Sequence, residues 1–518
     1  MKSIAYRRIN NLPLIVIGIL VSIFIISFTL INILKFRAFS PTCFGWAYIH
    51  IYPKLASLQN PFTIFKLPEF NILILLAPLN YILAFIYFFI QRPEILFVLQ
   101  GIIMTSGAIP IYLLAKERLK DVYLAMAVSV SYLLHPIITT GLMLGYTPLA
   151  SGMPLFLYAF YYLEKNNIKI FILFMALAIL SKIDAALIAV IFSGILFFSK
   201  SKKKYGKIIL LFGIPWLIIC TLSCLIYLKS IDRLFPVGLL HFDKYGDKVS
   251  DALRYALNNP GAIINNIFNK GNMLFYIFYA IPNIFSFLSL FYLLPVIPEL
   301  IFVLIRNQHS TAHFLILAFV FMGSVYGLER FINFIQPLFR QYLSILPKKL
   351  SLPRIFAAVI IVSASMRHYY IKPKSDFSDK LGPMPFTKGF NWKFYNLNQH
   401  LLLGNKLLAL IPANTSCLTQ QSLAPHLGKC KYLAPITRQT IAENYNWEYI
   451  FLDLSKDDFY EINRNEVFLY LKGLIMQKNY GIMTFKDGWI LLKYEYPKDN
   501  KIELLTYLNK LLSDEKKN

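Results

Sequence analysis

The chain has 518 residues, of which 57% are apolar and only 15% charged, and its formal net charge is +25. So little charge could not cover a soluble protein of this length, which places the chain in a membrane. The excess of lysine and arginine forms no single basic face. It collects at the ends of apolar runs, where it sets orientation and meets anionic headgroups, and this argues against nucleic-acid binding.

Residues 12–34 form the first apolar run. It is too long for a signal-peptide core and has no small-residue cleavage site, so it reads as a retained anchor. Lys2, Arg7 and Arg8 before it are expected in the cytoplasm. Basic clusters recur at Lys116, Arg118 and Lys120, at Lys165 and Lys169, and at Lys200, Lys202, Lys203, Lys204 and Lys207. The last includes Arg330, Arg340, Lys348, Lys349 and Arg354. All fall inside provided that residues 70–89, which contain Pro78 and Asn80, do not cross completely. A re-entrant or juxtamembrane helix is expected there, its irregular backbone sheltered by protein.

On this threading the outside receives a long first loop, 35–92, and the turn Gly145-Tyr146-Thr147-Pro148. It also receives Ser181-Lys182-Ile183-Asp184, the stretch 229–271 and residues 306–313. Within 243–270 an amphipathic helix lying at the outer interface is expected, either as an interfacial anchor or as a substrate-gating lid. The expected fold is therefore mostly α, a polytopic transmembrane helical bundle over 1–366 with about ten spans. Residues 367–390 read as a linker, and 391–518 as a small extracytoplasmic α/β domain. In that domain the pattern predicts an amphipathic helix over 394–410, a short strand around Cys417 and a buried strand over 448–453. A helix over 465–478 and a final strand over 489–494 complete it.

None of the five cysteines, Cys43, Cys220, Cys224, Cys417 and Cys430, belongs to a CxxC pair, so no zinc or thioredoxin-type site is expected. Cys220 and Cys224, one helical turn apart, read as core packing. Cys417 and Cys430 either close a short loop as a disulfide or stay as two partly buried thiols.

Charged groups at membrane depth are costly, and each is a functional candidate. Asp184 stands beside Lys182, as a structural ion pair or as one wall of a polar substrate site. Glu299 follows a proline break, where a local hydrogen bond at a helix N-terminus is the simple reading. Arg306 has the chemistry for bidentate phosphate binding, and His309 and His313, spaced i and i+4, share a helix face. That spacing lacks a third ligand, so no metal and no cofactor are expected. Glu69 is the only carboxylate between the first span and Arg92, and in that loop it alone could act as a general base. There is no P-loop, Rossmann glycine fingerprint, HExxH or nucleophile elbow.

A series of short apolar landmarks runs in order through the chain. They are Leu75-Leu-Ala-Pro-Leu79, Ala108-Ile-Pro-Ile-Tyr-Leu-Leu-Ala115, Tyr146-Thr-Pro148, Lys182-Ile-Asp184, Pro298-Glu-Leu300 and His309-Ser-Thr-Ala312. Leu410-Ile-Pro-Ala413, Pro425-His-Leu427 and Tyr449-Ile-Phe-Leu-Asp453 follow in the tail. In these the chain resembles a family of archaeal and bacterial predicted membrane proteins, a domain of unknown function related to GT-C-type glycosyltransferases. The resemblance implies a membrane-embedded transferase that moves a sugar from a polyprenyl-phosphate carrier at the outer leaflet. An acid in the first outer loop would act as base, and basic residues would hold the phosphate. It implies Glu69 and Asp184 as catalytic residues, with Lys182, Arg306, His309, His313 and Tyr146 contacting substrate. The aspartates that such proteins carry after the first span are missing, since Phe39-Ser-Pro-Thr-Cys-Phe-Gly-Trp46 holds no acid. Two readings stay open: an active transferase with Glu69 in the base role, or a non-catalytic scaffold presenting the tail domain to a cell-envelope partner. A transporter is the weaker third, because no inverted repeat of broken helices is visible. Membrane lipids are the one certain partner class, and no protein partner is legible.

Overall fold

The computed structural model describes residues 2–40, 45–57, 76–230, 254–255, 257–269, 283–300, 314–338, 351–370, 382–442, 445–456, 459, 462–477, 480–497 and 501–515. They form two compact units. One comprises 1–30, 72–82 and 97–391; the other comprises 31–71, 83–96 and 392–518.

The first unit is a helical bundle. Four of the described helices are long and apolar enough to cross a bilayer: Leu12–Arg37, Glu94–Leu119, Lys203–Ile226 and Phe314–Leu338. The pair Val122–Leu133 and Pro136–Met143, bent by 42°, makes a fifth if it counts as one span. The expected ten are not reached among the described residues. Several apolar runs fold instead into short helices, namely Leu79–Phe89, Ile168–Ile179 and Ile183–Phe197. At about 1.5 Å per residue these reach roughly 16–23 Å, short of a hydrocarbon core of about 30 Å. Leu79–Phe89 therefore does not cross by itself. Its first amide donates to the carbonyl of Leu180 (3.2 Å), so the backbone after Pro78 is satisfied by protein. Of the interfacial stretch, an eight-residue helix, Pro260–Ile267, is described.

The bend in the broken pair has a local cause. Pro136 offers no amide and forces the preceding residue out of helical conformation. His135 accordingly sits at φ −69° and ψ 131°, and its Nδ1 accepts a hydrogen bond from the amide of Ile137 (3.3 Å). Phe319, buried on Phe314–Leu338, organises the bundle interior. Its ring lies 5.4, 4.9 and 5.6 Å from those of Phe156, Phe160 and Phe192, all edge to face. Such pairs add roughly 0.5–1.5 kcal/mol each beyond the area they bury. Cys220 is buried against Leu76, with Ile183, Trp216 and Cys224 beside it, which is the core packing expected of this cysteine pair.

The second unit contains a five-stranded mixed sheet in the order β2-β1-β3-β5-β4, with β1 Ser416–Thr419, β2 Tyr432–Pro435, β3 Tyr449–Asp453, β4 Tyr480–Lys486 and β5 Trp489–Tyr494. β1 runs parallel to β2 and β3, and β5 runs antiparallel to β3 and β4. Period-two alternation divides its two cores. Ile450, Leu452, Ile490 and Leu492 face the helices Arg464–Gln477 and Lys501–Glu515. Tyr449, Phe451, Trp489 and Leu491 face the helix Gln399–Leu408. Burial on both faces explains why β3 and β5 read as continuous apolar runs. The hairpin β4–β5 turns on Asp487 and Gly488, with φ of 52° and 79°, the left-handed pair of a type I′ turn. Cys417 and Cys430 are both buried and free, with their thiols in hydrogen-bonding contact.

The end of the first helix is built into this same unit. Phe39 is fully buried in the core under Trp489, with ring centroids 5.2 Å apart. His426 stacks on Phe36 at 3.9 Å. Asn405 Nδ2 donates to the carbonyl of Arg37 (2.9 Å), and Lys456 Nζ donates to that of Ala38 (3.3 Å).

In the bundle, Gly107 marks a close approach. The Tyr132 hydroxyl donates to the carbonyl of Met104 (2.6 Å), and a Cβ on residue 107 would collide with the Tyr132 hydroxyl oxygen. Alanine would gain roughly 0.5–1 kcal/mol in helix propensity but cost about 1–3 kcal/mol in overpacking. Gly107→Ala is therefore expected to lower the thermal unfolding midpoint in detergent, and an unchanged or raised midpoint would refute this packing.

Candidate functional site

The bundle has a basic end. Arg118 pairs with Glu164 (2.5 Å) and lies 3.8 Å from Glu329, while the Tyr326 hydroxyl donates to Glu164 (2.5 Å). Lys165 pairs with Glu117 (2.5 Å), and Lys202 Nζ donates to the carbonyl of Leu163 (2.5 Å) and to Asn166 (3.1 Å). Arg330 Nη1 donates to the carbonyl of Leu288 (2.8 Å), and Arg354 lies over the ring of Tyr123 at 5.0 Å. Residues drawn from four separate basic clusters of the sequence take part in this network.

The helices Gly152–Glu164, Ile168–Ile179 and Ile183–Phe197 alternate in direction from there, so their other termini gather at the far end. That end is polar in another way. Lys182, in extended conformation (φ −167°), caps the helix Ile183–Phe197, and Asp184 in its first turn suits the positive end of the helix dipole. Lys182 Nζ and the Asp184 carboxylate form an ion pair whose side chains are 22% and 40% exposed. The tight packing of Gly152 ties this corner to its neighbours. A Cβ there would lie 2.6 Å from Ser181 Oγ and 2.8 Å from Leu315. Tyr146 is buried in the adjoining turn. Beside it the amide of Thr147 donates to Gln100 Oε1 (3.2 Å), whose Nε2 donates to the carbonyl of Gly141 (3.4 Å).

Glu299 joins Lys182 and Asp184 from a distant part of the chain. It lies outside the candidate spans, and its carboxyl interacts electrostatically with both. Its Oε2 is buried and has no hydrogen-bond partner among the described residues. Burial first and the Asp184 charge second push this carboxyl up to about 8, with Lys182 opposing. The corner thus holds one ion pair and one carboxyl that keeps its proton near neutral pH. Among the described residues no group of three histidine, cysteine or acidic side chains could hold a metal ion.

Of the residues singled out in the sequence, the structure brings Lys182 and Asp184 together and places Tyr146 at the same end of the bundle. Glu69, Arg306, His309 and His313 lie outside the described residues. Glu299 was legible only as a proline-flanked acid in an apolar run. Its meeting with Lys182 and Asp184 is long-range and left no local signal.

An apolar bundle with four or five described helices long and apolar enough to cross a bilayer, together with a small α/β unit, fits a polytopic membrane protein. Residues 74–491 match the family described as Predicted membrane protein (DUF2079), and the chain belongs to this family. No curated protein and no solved structure matches it.

Glu299 makes stability depend on pH with a definite sign. A carboxyl whose folded value is raised contributes stability below its unfolded value, near 4.5, that is lost as pH rises towards about 8. Glu299→Gln should flatten the fall of the thermal midpoint across that window relative to wild type. Parallel curves for the two proteins would show that Glu299 is not held in this environment.

Proposed function

We propose that the chain is a membrane-embedded transferase that takes a sugar from a polyprenyl-phosphate carrier at the extracytoplasmic leaflet. The observation that carries this reading is the corner where Lys182, Asp184 and Glu299 meet. A cation and two carboxyls of different protonation, at the end of the bundle away from the basic loops, suit a phosphosugar and its acceptor. In this reading Lys182 holds the carrier phosphate while keeping a hydrogen bond to Asp184, since an ammonium has three donors. An acceptor hydroxyl attacks the anomeric carbon, the bond from that carbon to the phosphate oxygen breaks, and polyprenyl phosphate leaves. The hydroxyl proton passes to a carboxylate, for which Asp184 and Glu69 are the two candidates. Arg306, His309 and His313 directly precede the helix Phe314–Leu338 in sequence, and they complete the proposed contacts to phosphate and leaving group.

Orientation follows from charge. The basic clusters and the N-terminus face the cytoplasm by the positive-inside rule. The first helix crosses once, and its far end belongs to the tail unit, so the tail lies outside. The same feature supports a second reading, a scaffold whose first span carries the α/β domain for a cell-envelope partner, and the acid-free segment 39–46 favours it.

Purified protein incubated with polyprenyl-phosphate sugars separates the two. The transferase reading expects transfer or hydrolysis that falls roughly 10²–10⁴-fold in the variant lacking the base, Asp184→Asn or Glu69→Gln. It also expects Lys182→Gln to reduce the carrier lipid that co-purifies, as read by mass spectrometry. Wild-type protein that shows no turnover and retains no carrier would leave the scaffold.

A further inference from the structure

The tail unit contains a second cluster of titratable groups, unconnected with the proposed transfer. His400, in the first turn of the helix Gln399–Leu408, places its two ring nitrogens against two carboxylates. Nε2 lies 3.1 Å from Asp453 Oδ2, and Nδ1 lies 2.8 Å from Asp487 Oδ2. Asp453 is buried at the end of β3, whereas Asp487 is exposed in the β4–β5 turn. Ser455 Oγ is 3.2 Å from His400 Nε2 and 2.5 Å from Asp453 Oδ1. The imidazole is also stacked on Trp489, with centroids 5.0 Å apart, and the indole Nε1 donates to the His400 carbonyl (2.9 Å).

Ser455, His400 and Asp487 resemble a nucleophile, base and orienting acid in outline, but the hydrogen bonds run otherwise. The Ser455 hydroxyl donates to Asp453 at the shorter distance, and the other oxygen of Asp453 faces the nitrogen that a base would need free. With an acceptor on each side, the ring is suited to carrying both protons. Asp453 and Asp487 are the charged groups facing it among the described residues, while Lys456 in the adjacent loop points to the carbonyls of Ala38 and Phe39.

We propose that Asp453, His400 and Asp487 form a proton-operated latch that fastens the helix Gln399–Leu408 to the sheet and, through Asn405 on that helix, to the end of the first membrane span. Protonated, His400 bridges β3 and the β4–β5 turn. Neutral, it has only one N–H for two carboxylates, and one side of the bridge opens. Burial and the positive end of the helix both disfavour the imidazolium, yet the two carboxylates outweigh them and raise its titration above the ordinary histidine range. The latch is therefore closed on the acid side and released as pH rises through the raised value. Asn405 donates to the Arg37 carbonyl, so release loosens the hold on the end of the first span.

Trp489 supplies the readout, because a cation stacked on an indole alters its emission. In the full-length protein in detergent, tryptophan fluorescence is expected to titrate with a midpoint above about 6.5, and this transition should vanish in His400→Gln. Asp487→Asn, a surface change, should keep the fold and move the midpoint down. Hydrogen exchange, corrected for its intrinsic pH dependence, should show residues 37–39 and 399–408 losing protection above the wild-type midpoint. A midpoint at or below about 6.5, a transition that survives His400→Gln, an unmoved midpoint in Asp487→Asn, or pH-independent protection would each overturn the latch.

Discussion

The structure depends on one constraint: the first membrane helix ends inside the core of the tail domain. Residues 12–37 are long and apolar enough to cross a bilayer. Phe39 is fully buried against Trp489, and the carbonyls of Arg37 and Ala38 are taken by Asn405 and Lys456. A helix terminus leaves carbonyls without intrahelical partners, and here side chains of the tail supply them. The end of the helix and the α/β domain therefore belong to one compact unit, although more than 300 residues separate them in sequence.

The two ends of the bundle differ in kind. At one, Arg118, Glu164, Tyr326, Lys165 and Lys202 neutralise one another and close helix termini, which is what packing and orientation require. At the other, Lys182 and Asp184 neutralise each other but Glu299 adds a third group whose oxygen is not satisfied among the described residues. Leaving a buried carboxyl in that state costs stability without improving packing. Such a cost is typical of places that bind or move something, which is what supports the proposal at this corner.

Much of the tail was legible because burial on two faces writes itself plainly into sequence. The runs at 449–453 and 489–494 are strands at the expected positions, and the helix over 465–478 appears as Arg464–Gln477. β4 was missed although Asp487-Gly488 is a strong hairpin signal, since its strand is half-buried and interrupted by an irregularity between Ile482 and Thr484. β2 is a four-residue edge strand ending in Pro435, too short to leave a pattern. In the bundle the apolar runs were plain, but composition did not separate crossing helices from short buried ones. A buried 12-residue helix and a crossing helix have the same composition, so the expected number of spans exceeded what the described residues form. The Lys182–Asp184 pair was visible because the two are near neighbours. Neither Glu299 beside them nor His400 between Asp453 and Asp487 could be read, as each contact is made by the fold across long stretches of chain.

Sidedness can be measured most directly with single cysteines introduced at exposed Met476 in the tail and at Lys200 among the basic loops. A membrane-impermeant maleimide added to intact cells should label Met476→Cys at once and Lys200→Cys only after permeabilisation. Labelling of both positions from the same side would contradict the account, for the first helix could not then join a cytoplasmic N-terminus to an extracytoplasmic domain.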